Sequence, residues 1–126
     1  MRLPIQSLIK NTIFDLFCGG ETIEECLDTT IVALQKHNVG AILDYSVEGL
    51  EREEDFESAR DELLLVIETA RTNEAVPFAV FKVTGMGRFA LLEKINDKNE
   101  LTDAEVTEFS KIKKRIYSLC KTASDK

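Results

Sequence analysis

Two short apolar runs limit what this chain can build: residues 40–47, "GAILDYSV", and residues 76–85, "VPFAVFKVTG". Neither alternates apolar with polar residues as a strand with one wet face does. Each is nearly continuous, the pattern of strands covered on both sides. Between them, in residues 52–73, Phe56, Ala59, Leu63, Ile67 and Ala70 recur at helical spacing, and Leu64 and Val66 widen the stripe. Strands joined through so long a helix cannot form a hairpin. They are expected to run parallel through a right-handed crossover.

The same alternation extends in both directions. Residues 12–17, "TIFDLF", predict a further strand, ended by Gly19 and Gly20. Residues 22–38 predict a helix with Thr22 and Glu25 as a capping box, an inner stripe of Ile23, Cys26, Leu27, Thr30 and Leu34, and a stop at residues 38–40. After the last strand come a short helix in "RFALLEKI", a polar loop in "NDKNEL", and a second capping box, Thr102 with Glu105. The closing helix carries Val106, Phe109, Ile112, Ile116, Leu119 and Cys120 on one stripe. The expected class is α/β, a βαβαβα parallel-strand unit spanning residues 1–126 as one partial domain. Three parallel strands leave sheet edges open. The unit is therefore expected to be the first part of a (β/α)8 barrel, with an open doubly wound sheet as the other completion. Taken alone, it should self-associate through uncovered apolar faces.

The formal net charge of −7 argues against a nucleic-acid partner. The one basic cluster, "KIKKR" at residues 111–115, is expected to be a solvated face near a helix C-terminus. Three cysteines without CxxC spacing and a single histidine, His37, predict neither a metal site nor a disulfide framework. Cys26 and Cys120 are expected to be small buried side chains, and Cys18, beside Gly19 and Gly20, the more reactive thiol. No apolar run is long enough to span a bilayer, and no signal-peptide pattern opens the chain, so a cytoplasmic location is expected.

Chemistry in such folds collects at the C-terminal ends of the strands. The polar residues placed there are Asp44, Tyr45, Ser46 and Glu48 after one strand and Lys82 and Thr84 on the next. Side chains alternate along a strand, so Phe78, Val80, Lys82 and Thr84 share a face, as do Ile42, Asp44 and Ser46. An ammonium within an apolar strand requires a carboxylate partner or a charged ligand, and Asp44 on the neighbouring strand is the expected partner. "GMGRF", residues 85–89, lacks the phosphate-binding pattern; its glycines are expected to turn the chain off the strand. Two other classes compete. A receiver-type signalling domain would use Asp15, Asp44 and Lys82, but it needs five strands. The other is a non-catalytic α/β interaction or regulatory module.

The segments "FCGGET", "ILDYSVEG" and "FKVTGMGRF", in this order, resemble the proline dehydrogenase family, and the resemblance extends over about residues 8–122. It implies a distorted (β/α)8 barrel that holds FAD and oxidises L-proline to Δ1-pyrroline-5-carboxylate, with electrons passing to a membrane quinone. By resemblance, Lys82 is the catalytic and substrate-binding lysine beside proline and flavin. Asp44 and Glu48 match the family's D-x-x-x-E: the aspartate belongs to the charge network, and the glutamate is implied to pair with a substrate-binding arginine from the barrel's last helix. The resemblance implies an N-terminal portion of the barrel, inactive by itself, with most of the FAD site outside it. In the complete enzyme it implies a place peripheral to the inner membrane, mitochondrial in a eukaryote.

Overall fold

The structure, a computed structural model, describes residues 18–45, 47 and 49–124. The expected strand at residues 12–17, with Asp15, lies outside the described residues, as do Ser46 and Glu48. The chain divides after Ala41 into two compact units.

In the first unit, residues 23–35 form one helical run, α1, with α-helical turns at Ile23–Glu25 and Val32–Gln35 and a π-helical segment at Cys26–Ile31 between them. Thr22 caps its start, its hydroxyl accepting from the Glu25 N–H at 3.1 Å. The Glu25 carboxylate accepts from the backbone N–H of Glu21 at 2.8 Å, one residue earlier than a capping box places it. Ile31 is the buried side chain of α1, not a member of the expected stripe. The π segment accounts for the shift, because each wide turn advances the inward face by one residue, from Cys26 to Ile31. Asn38 ends the run with φ 57° while the Val39 N–H reaches back to the Leu34 carbonyl at 3.1 Å.

In the second unit, Ile42–Leu43 (β1) and Phe78–Ala79 (β2) pair in parallel, Ile42 opposite Phe78 and Leu43 opposite Ala79. Both are much shorter than the expected strands. Between them runs α2, Glu53–Thr72, whose first turn holds Glu53, Glu54 and Asp55 at the positive end of the helix dipole. A 3₁₀ turn at Val83–Gly85 follows β2, then α3, Phe89–Asn96, and α4, Asp103–Ser124. The core lies where α2, α3 and α4 meet under the sheet: Ala59, Leu63, Met86, Leu91, Ile112 and Leu119, with Phe81 half-buried against it. Burial of one such Leu or Ile side chain contributes about 1.5–3 kcal/mol. The second capping box forms completely, Thr102 N–H to Glu105 Oε2 at 2.8 Å and Glu105 N–H to Thr102 Oγ1 at 3.3 Å. Lys94 donates to Glu105 and Arg88 to Glu108, which ties α3 to α4.

Four expectations are corrected. The strand carrying Lys82 is not buried on both faces: Phe78 is 66% and Ile42 55% exposed, because no element among the described residues covers that side of the sheet. On α4, Val106 and Cys120 are exposed, and the buried line runs Ile112, Arg115, Leu119. Cys26 is only half-buried. Arg115, expected on a solvated basic face, is 2% exposed.

Candidate active site

Lys82 and Asp44 follow β2 and β1 at their C-terminal ends. The in-register pairing of Ile42 with Phe78 puts residues two and four further along on the same side of the sheet. There the Lys82 ammonium stands 3.2 Å from Asp44 Oδ2, so the sequence places both members of this ion pair. Its environment differs from the expected one. The two side chains are 45% and 44% exposed, so water screens them. The apolar side chains of Ile42, Phe78 and Val80, which precede the pair in β1 and in and just after β2, are exposed as well.

A cleft of about 390 Å³ opens among the segments that follow the two strands, lined by Gly49, Leu50, Glu51, Thr84 and Phe89. Thr84 is thus brought to a cavity wall, and Glu51 and Phe89, which sequence reasoning did not select, join it. Tyr45 is exposed beside β1. Glu48 lies outside the described residues. Among the described residues no cluster of three His, Cys, Asp or Glu side chains could hold a metal ion.

The turn after Lys82 is held from beneath. Met86 is fully buried, and its carbonyl accepts from Arg115 Nη1 at 2.8 Å. The same guanidinium donates through Nε to Glu57 at 2.7 Å, through Nη2 to Glu53, and stacks 5.4 Å from the Phe56 ring centre. Gly87 lies directly against Ile112: a methyl group built there would overlap Ile112 Cδ1 and stand 2.5 Å from its Cγ1. Neither Gly85 nor Gly87 has positive φ; among the described glycines only Gly49 does, at 70°. Gly87 therefore serves close packing of the turn on α4, where sequence reasoning had assigned it backbone freedom, whereas a Cβ at Gly85 would meet only the Val47 carbonyl, at 3.7 Å. Arg115 was hidden in a basic run. Its position on the apolar stripe, three residues after Ile112 and four before Leu119, was the available signal.

Among curated proteins, the chain is 36% identical over 94 residues to proline dehydrogenase 1, mitochondrial, of Dictyostelium discoideum, covering 74% of this chain and 16% of that protein. It is 29% identical over 114 residues to the carbapenem antibiotics biosynthesis protein CarD of Pectobacterium carotovorum subsp. carotovorum, covering 90% of this chain and 30% of that protein. The chain spans less than a third of either relative. No family model and no solved structure matches it. Among the described residues no helix is long and apolar enough to cross a membrane. The chain is thereby similar to part of a proline dehydrogenase, an oxidoreductase.

Proposed function

We propose that this chain is the first part of a (β/α)8 barrel that oxidises L-proline to Δ1-pyrroline-5-carboxylate by hydride transfer to FAD, with a quinone as the final acceptor at the inner membrane. The observation that carries this reading is the Lys82–Asp44 pair at adjacent parallel strand ends. It stands at the positions where the family motif has its active-site lysine and aspartate. The similarity to the Dictyostelium enzyme supports it.

The residues present fit one edge of a flavin site. Lys82 offers a cationic hydrogen-bond donor following the exposed apolar side chains of Ile42, Phe78 and Val80, which suit a flat ring system. When bound, FAD supplies the two-electron acceptor. Lys82 presents its ammonium to the proline carboxylate, and Asp44 orients it. Glu48 is assigned to the arginine that holds the substrate. The chain alone is expected to retain no flavin, since the remaining strands contribute most of the contacts.

The test replaces the matching stretch of the Dictyostelium enzyme with these residues and follows proline-dependent flavin bleaching. A chimera that binds FAD and turns over with Lys82, but loses turnover with Lys82→Met, supports the reading. A chimera that binds FAD and is indifferent to Lys82 contradicts it. The open apolar sheet face favours one other reading, a non-catalytic interaction module, and that second outcome would favour it.

A further inference from the structure

We propose that Cys18 and Cys26 are a reversible redox pair, closed to an intramolecular disulfide by a small disulfide oxidant such as glutathione disulfide. The inference lies wholly within the first unit and does not rest on the proposed oxidoreductase activity.

The geometry comes from how residues 18–20 lie on α1. The Thr30 hydroxyl donates to the Gly19 carbonyl at 2.7 Å, which pins this segment along the face of α1 that carries Cys26 and Thr30. A Cβ added to Gly19 would stand 3.4 Å from the Cys26 sulfur, and one added to Gly20 3.0 Å from it. The Cys26 sulfur therefore lies against the Gly19–Gly20 backbone, and the absence of side chains there makes room for it. Cys18 is the next residue, about 3.8 Å of chain away. It is exposed, whereas Cys26 is half-buried. Two thiols joined by a short glycine-containing segment, one open to solvent and one behind it, have the layout of an attacking and a resolving cysteine.

The chemistry gives them separate roles. Burial pushes the Cys26 thiol above its ordinary value, and the nearby Glu25 carboxylate and Cys18 add to the shift. Cys26 is thus the poorer first nucleophile. The Cys18 thiolate attacks one sulfur of glutathione disulfide, forming a mixed disulfide and releasing one glutathione thiolate. Cys26 loses its proton to solvent and attacks the Cys18 sulfur, releasing the second. One disulfide is reduced to two glutathione thiols, which take up the two protons lost, and two protein thiols are oxidised to one disulfide. The closed bridge ties the segment that enters α1 to the first residue of its π-helical stretch.

The experiment incubates the full chain in glutathione buffers of stepped redox ratio. Remaining thiols are then blocked, and the linked peptides are mapped by mass spectrometry. The expected product is a Cys18–Cys26 linkage that appears and disappears reversibly, with Cys120 still alkylatable. Cys26→Ser should accumulate glutathione on Cys18, Cys18→Ser should react at least ten-fold more slowly at Cys26, and Cys120→Ser should behave as the parent. The proposal is overturned if the parent chain stops at the Cys18 mixed disulfide as Cys26→Ser does, or if the disulfides formed link Cys120 between chains.

Discussion

Lys82 and Arg115 are both cations set among apolar residues, and the structure treats them in opposite ways. Arg115 is 2% exposed, and its guanidinium is engaged by Glu53, Glu57 and the Met86 carbonyl. Lys82 is nearly half exposed after β2, ion-paired with Asp44. A buried, fully hydrogen-bonded charge is costly to disturb and holds neighbouring elements in one arrangement. A half-exposed charge contributes little to folding, so its placement answers to something else. The two residues are nonetheless linked, because Arg115 grips the turn that begins one residue after Lys82.

Arg115→Met should give the largest loss of stability. It strands the Met86 carbonyl and takes one cation from each of Glu53 and Glu57, which stay about 40% exposed and keep Lys111 at 3.4 Å and Arg60 at 2.7 Å, so the cost should fall near the low end for a broken buried pair, about 3 kcal/mol. Denaturant unfolding measures it, and a loss below about 1 kcal/mol would remove Arg115 from its role as anchor. Gly87→Ala comes next. The added methyl meets Ile112 in the core and should cost about 1–3 kcal/mol. Shortening the partner in Gly87→Ala/Ile112→Val should recover part of that loss, and two effects that simply add would show that the glycine is not there for packing.

The capping box of α4 gives a smaller effect, visible in acid. Hydrogen bonds from the Lys94 ammonium, then from the Thr102 N–H, lower the Glu105 carboxyl from its ordinary 4.5 to about 2. A depressed folded-state value means the contribution is fully present above pH 4.5 and is lost as pH falls towards 2. The difference in melting temperature between the parent and Glu105→Gln should therefore be constant from neutral pH to about 4.5 and shrink below it. A difference that shrinks only above pH 5 would assign it to another group.

What the sequence disclosed and what it hid follow the same line. The helices with long apolar stripes, α2 and α4, were readable because periodicity survives in the chain itself. The Lys82–Asp44 pair was readable because one charge interrupts an apolar run and side chains alternate along parallel strands. Ile31 was missed because a π-helical segment shifts the phase of α1, and nothing in the residue pattern announces i+5 turns. Arg115 was missed because a basic run looks alike whether one member points in or all point out. The exposure of Phe78 and Ile42 was missed because continuous apolarity predicts covers on both faces, and the second cover is not among the described elements.

The central claim is that Lys82 serves chemistry and Arg115 serves the fold, and one paired measurement tests it. Lys82→Met in this chain should change unfolding free energy by less than about 1 kcal/mol, since the pair it breaks is half exposed. In the Dictyostelium chimera the same substitution should lower proline turnover on the order of 100-fold, about 2.7 kcal/mol of barrier, with flavin still bound. Unchanged turnover together with a stability loss of about 3 kcal/mol would make Lys82 a second Arg115 and contradict the account.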